Sequence, residues 1–167
     1  MRHLLKLLLL IVGCLAAGAV QVQAQSFSPP GQVKVDDVKV VWSEAGPVVL
    51  LTARDAVVPI FVDPTVAGSI HGALTGEKSP RPLSHDLMHT ILQAYDVTVV
   101  QVAISLKGQV YFGELMMVAG GQTKVFNCRS SDGTALAIHF GTPIFVEEAL
   151  LEKARKGEPP KDSQFEL

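Results

Sequence analysis

Cysteine is almost absent: the 167 residues contain two, Cys14 and Cys128, and Cys14 lies in an N-terminal apolar run. Once that run is removed only Cys128 remains, so no intramolecular disulfide is available and stability has to come from the core. No excess of basic residues exists either, with 14 Lys and Arg against 16 Asp and Glu. Proteins that hold nucleic acid mainly through phosphates need a basic face, so this balance argues against strong binding of that kind and leaves open only a local basic patch. No internal repeat of fixed period and no low-complexity core occur. The apolar run itself, residues 7–17, falls short of the roughly 20 residues that cross a bilayer as a helix.

What that run does have is the order of a secretory signal. Arg2 and Lys6 precede it, and the small-residue stretch Val22-Gln23-Ala24 ends just before Gln25. Cleavage after Ala24 makes the chain an exported protein, periplasmic or secreted, with no stable membrane span. Ile11-Val12-Gly13-Cys14 also fits a lipoprotein signal, in which Cys14 is acylated and anchors the chain. Plain cleavage leaves residues 25–167, the size of one ordinary domain. They carry 12 Lys and Arg, after loss of Arg2 and Lys6, against all 16 Asp and Glu, a net charge of −4.

Residues 25–32 hold Ser, Pro-Pro and Gly without periodicity and read as a flexible lead-in. The domain spans residues 33–156. Residues 33–42, 48–52 and 57–62 are β-branched and apolar stretches separated by turn residues, which predicts three antiparallel strands. Pro64 stands at a first helical position, and Val66, Ala67, Ile70 and Ala73 recur at helical spacing until Gly76. After a turn-rich connection, Ser84 takes the place of an N-cap for a helix with Leu87, Ile91, Leu92 and Tyr95 as an apolar stripe and Asp86 in its first turn. Residues 97–106 and 109–118 form a hairpin around Lys107-Gly108, with residues 123–127 as a third partner strand. A small-residue helix starts at Ser130-Ser131-Asp132 and stops at Gly141; residues 143–146 form a brief strand and 147–156 a terminal helix. Residues 157–167 read as a disordered tail. Two groups of strands with helices inserted between them, rather than alternating one to one, indicate an α+β fold with antiparallel or mixed sheets.

Three stretches in this order resemble the bifunctional nuclease family, known for nuclease activity on both DNA and RNA. They are Val58-Pro59-Ile60-Phe61-Val62 with Ala67 and Ile70 following; Pro80-Arg81-Pro82-Leu83-Ser84-His85-Asp86-Leu87, close to the family's PRPLTHDL; and Arg129-Ser130-Ser131-Asp132-Gly133-Thr134-Ala135-Leu136-Ala137, close to RPSDAIALA. Val66, Asn127, Ser130 and His139 depart from the family pattern, standing respectively where an acid, an acid, a proline and an arginine are usual. The resemblance implies hydrolysis of phosphodiester bonds in nucleic acid.

If the PRPLSHDL and RSSD turns meet as two helix N-termini, their backbone N–H groups and helix dipoles attract an anion. Arg81, Arg129 and Ser131 are then the candidate phosphate-binding residues, and the guanidinium forks suit phosphate oxygens. His85 is the candidate general base or acid, with Asp86 or Asp132 orienting it or holding a divalent metal, Mg²⁺ or Mn²⁺. The bland reading is that Ser84 and Ser131 are helix caps, Asp86 and Asp132 first-turn acids, and the arginines their ion-pair partners. His85 and His89, four apart, can share a metal only with a third ligand. His71 and His139 read as core-edge histidines, Cys128 as a small buried hydrophobe, and the charges of residues 147–156 as a solvated face. Apolar, strand-rich composition favours a homodimer. A non-catalytic dimeric module of the cell envelope, or a small-anion-binding domain, remains a rival reading.

Overall fold

The computed structural model describes residues 30–157. The leader over residues 1–24, most of the lead-in and the tail beyond Gly157 lie outside the described residues. Among those described, no helix is long and apolar enough to cross a membrane.

Among the described residues, two sheets and four helices share one core. The smaller sheet is an antiparallel meander of β2 (Asp37–Ser43), β3 (Gly46–Ala53) and β4 (Ala56–Phe61). Pro59, which cannot donate to a ladder, is tolerated because β4 is an edge strand. The larger sheet has the order β1-β8-β5-β6-β7, built from β1 (Gln32–Lys34), β5 (Thr98–Lys107), β6 (Val110–Ala119), β7 (Gln122–Arg129) and β8 (Ile144–Glu147). It is mixed, since β5 and β8 run parallel while the other pairs are antiparallel. The α+β expectation holds.

The first strand prediction needs correction. Residues 33–42 form two strands in different sheets, because the chain switches sheets at Val35 and Asp36. The Val35 N–H donates to Ile144 O at 2.8 Å, and the next N–H, of Asp36, donates to Thr52 O at 2.8 Å. One backbone crossing thereby ties the sheets together.

Helix α1 (Pro64–Thr75) begins where Asp63 accepts from the N–H groups of Thr65 and Val66 at 2.9 and 3.0 Å, and ends at Gly76 with φ 79°. Its buried face holds Val66, Ala67, Ile70 and the polar Ser69. Helix α3 (Ser130–Phe140) lies on β5 and β6, and α1 packs against α3. Close approach is required there: a Cβ on Gly133 of α3 would come within 3.0 Å of the Val102 side chain on β5 and 3.1 Å of the Cys128 sulfur. Met117 packs against the core while Met116 points to the opposite face, as strand alternation demands. Helix α4 (Glu148–Arg155) buries Leu150 and Leu151. Its charges form a solvated face, as their pattern suggests, and two of them make surface ion pairs. Glu148 meets Arg54 at 2.9 Å, and Arg155 meets Asp55 at 2.6 Å, clamping the helix to the β3–β4 turn.

Helix α2 (Ser84–Ala94) runs against the pattern. An apolar stripe ordinarily marks the core-facing side of a helix. Here Leu87, Met88, Ile91 and Tyr95 are exposed, Tyr95 at 78%, and the one buried residue is His85. Two cap assignments also shift. The extended N-cap residues are Leu83 and Arg129, so Ser84 is the first helical residue of α2 and Ser131 the second of α3.

Candidate active site

The starts of α2 and α3 meet through side chains of both sequence motifs. Asp86 shapes the first of these turns, accepting the Leu83 N–H on Oδ2 at 2.8 Å and so satisfying a helix-terminal donor. That geometry turns the preceding residue, His85, inward to 5% exposure. His85 Nε2 then lies 3.2 Å from Asp132 Oδ1 in the first turn of α3. Arg129, the cap residue of α3, folds back on the same carboxylate: Nε donates to Oδ2 and Nη2 to Oδ1, both at 2.8 Å. The result is one carboxylate shared by an imidazole and a guanidinium.

Burial opposes ionisation of Asp132, but the hydrogen bonds from His85 and Arg129 and their charge outweigh it and hold the carboxyl at about 2. Arg129 is pushed up in return, chiefly by its hydrogen bond to Asp132. The Arg129 side chain nevertheless keeps 54% of its surface. Two of its five N–H donors are used by Asp132, so the rest can face a ligand. The charge of Asp63, at the start of α1, also raises Arg129 slightly.

A second polar cluster lies behind the first. The Ser69 hydroxyl donates to Asp86 Oδ1 at 2.6 Å and lies 2.8 Å from His139 Nε2, which is itself 3.2 Å from that oxygen. Burial raises the Asp86 carboxyl, yet the bonds from Ser69 and Leu83 and the nearby imidazoles leave it below its ordinary value. For His139 burial wins over the attraction of Asp86, and its pKa is lowered. His89 stacks on His139 with ring centroids 5.3 Å apart and meets Phe140 edge-on at 4.6 Å.

The structure therefore brings His85, Asp86, Arg129 and Asp132 together. Arg81 stands exposed in the loop before α2 and makes no ion pair among the described residues. Ser131 is buried at 2% exposure, so its hydroxyl does not face a phosphate, although it belongs to the right turn. His85 and His89 diverge to different neighbours and share no ligand position. His139 does sit at the core edge, whereas His71 is exposed beside Glu77 at 3.5 Å. Cys128 is half-buried, and burial followed by the charge of Asp132 pushes its thiol up to about 11.

Sequence reasoning missed Ser69 and the role of His139. The signal for Ser69 was present: a hydroxyl between apolar Val66 and Ile70 on a buried helix face demands a partner. As for a divalent metal, every oxygen of Asp86 and Asp132 already accepts a hydrogen bond. Among the described residues no three His, Cys, Asp or Glu side chains converge as a cation site. The residues as placed do not fit a metal.

Comparison with known proteins gives this geometry a family. A model of the bifunctional nuclease domain matches residues 48–158, which contain both motif turns and every residue of the two clusters. The chain belongs to the bifunctional nuclease family. It is also 33% identical over 127 residues to two strain versions of an uncharacterised protein of Mycobacterium tuberculosis, covering 74% of this chain and 76% of the relative.

Within the bifunctional nuclease family pattern, the departures acquire structural meaning. His139, at the place of the usual arginine, supplies the imidazole that joins Ser69 and Asp86. Val66 lies in the core, where an acid would need a partner. Asn127 lies exposed on β7, and the Ser130 hydroxyl is buried with no hydrogen-bond partner among the described residues.

Proposed function

We propose that this member of the family is a nuclease that hydrolyses phosphodiester bonds of DNA or RNA in an exported setting. The observation that supports the reading is the Arg129–Asp132–His85 cluster, which joins the two motif turns at the starts of α2 and α3. In this reading the free N–H groups of Arg129, with Arg81 as a second cation, bind the phosphate oxygens and stabilise charge that grows on them during attack. Asp132 orients the imidazole through Nε2, leaving Nδ1 of His85 to take a proton from the attacking water. The oxygen of that water bonds to phosphorus as the bond to the leaving oxygen breaks. His85 Nδ1 is buried and has no partner among the described residues, so a water reaches it only when α2 or the preceding loop shifts. No step is routed through a metal, since no three His, Cys, Asp or Glu side chains converge as a cation site among the described residues.

The burial of His85 also favours the second reading, a non-catalytic dimeric binding or structural module of the envelope. The exposed Leu87, Met88, Ile91 and Tyr95 supply a surface on which such a homodimer can form. Purified protein is incubated with single- and double-stranded DNA and RNA, with Mg²⁺, Mn²⁺ or chelator, beside Arg129→Ala and His85→Ala. The nuclease reading expects cleavage that falls by about a hundredfold or more in either folded variant. Undiminished cleavage in both variants removes the site, the absence of any cleavage leaves the binding module, and loss with chelator restores the metal that the geometry does not provide for.

A further inference from the structure

A cleft of about 570 Å³ opens directly behind the proposed site, between α1, the loop of residues 76–83, α2 and the end of α3. Its volume lies in the range of small-ligand pockets, roughly 300–1,000 Å³. Glycines of α1 set how closely that loop packs on the helix: a Cβ on Gly72 would come within 2.8 Å of Glu77 O, and one on Gly68 within 3.3 Å of the Leu83 side chain.

The walls carry a specific set of groups. His89, lying on the His139 ring, presents an imidazole surface to the cleft. Asp86 lines it as well; Oδ1 is taken by Ser69 and His139, whereas Oδ2 holds only the Leu83 N–H and keeps a second lone pair for an incoming hydroxyl. At the rim stand the Ser79 hydroxyl and Lys78, a cation with no ion-pair partner among the described residues. A ring surface, a hydroxyl acceptor and a cation around one cleft suit a base, a sugar and a phosphate. Imidazole faces are ordinary stacking partners for unpaired bases.

We infer that the cleft between α1 and α2 is a nucleotide subsite, taking the base against His89, the sugar at Asp86 and a phosphate at Lys78. Since Asp86 adjoins His85 in the chain, the subsite holds a nucleotide of the same strand whose scissile phosphate sits at Arg129. That continuity rests on the nuclease reading; occupancy of the cleft does not.

Calorimetric titration of the purified protein with adenosine and uridine 5′-monophosphates, the corresponding nucleosides and inorganic phosphate tests this. Saturable binding of a nucleotide, tighter than that of its nucleoside or of phosphate, is expected. His89→Ala should weaken it by about fivefold or more. Lys78→Glu, in an exposed loop where folding is not at stake, should weaken the nucleotide and leave the nucleoside unchanged; Lys124→Glu on β7 serves as the charge control. Equal binding of phosphate alone, no saturable binding, or full affinity in both variants overturns the inference. The cleavage assay separates the two readings: cleavage without nucleotide binding sinks the subsite alone, and nucleotide binding without cleavage sinks the nuclease and leaves the subsite standing.

Discussion

Helices α1 and α2 pack against each other and against α3, yet they bury opposite kinds of side chain. Helix α1 puts Val66, Ala67 and Ile70 into the core and admits one hydroxyl, Ser69. Helix α2 turns His85 inward, with Asp86 and His89 at its edge, and leaves Leu87, Met88 and Ile91 in solvent. The first helix is placed by the hydrophobic effect, the second by a seam of hydrogen bonds and ion pairs. A seam of that kind is conditional on protonation state and replaceable by water or a ligand, whereas an apolar face is neither. The proposed chemistry sits on the conditional side.

The sharpest break of this comparison is at Ile70, which is fully buried. Ile70→Ala should cost about 2–5 kcal/mol in denaturant unfolding, the usual range for a large aliphatic side chain removed from a packed core. An unchanged midpoint would mean that α1 is not part of the cooperative unit.

Next in size is the acid response of the seam. Asp132 is depressed from 3.8 to about 2, so its contribution is complete above the unfolded value and disappears as pH falls through the folded one. That amounts to on the order of 2 kcal/mol, lost between about pH 5 and pH 2. The lowered Asp86 acts in the same direction, and the lowered His139 starts the decline earlier, as pH falls below 6.5. Unfolding free energies at pH 7 and pH 3 should therefore converge in Asp132→Asn relative to the parent. An identical pH profile in the variant would show that Arg129 and His85 do not hold the carboxylate as described.

The smallest effect is expected on the outer face of α2. Ile91→Ser removes an apolar side chain from solvent and should change stability by no more than about 0.5 kcal/mol. A cost above about 2 kcal/mol, dependent on protein concentration, would mean that a second copy covers the stripe in solution.

Strands and helices were legible because their signals are local. Gly76 and Gly141 both adopt the left-handed conformation that ends α1 and α3, and the 107–108 and 120–121 turns link β5, β6 and β7 as their residue types require. The motif residues His85, Asp86, Arg129 and Asp132 were legible for a related reason, since motif spacing survives folding. Residues 33–42 were misread as one strand because strand propensity carries no information about which sheet a residue joins. Likewise, the stripe of α2 has the right period for a buried face, and nothing within the helix says that His85 has a better-placed partner.

The sequence alone determined the element types, the α+β class and the two turns that carry chemistry, all of which depend on interactions within a few residues. Tertiary structure alone decided that Asp132, already held by Arg129, also meets His85, that Ser69 and His139 close around Asp86, and that a cleft opens beside them. Apart from Arg129–Asp132, three positions apart, these pairings join residues 17 to 70 positions apart in the chain. The long-range ones exist only once the core has brought α1, α2 and α3 into hydrogen-bonding range, which no local propensity encodes.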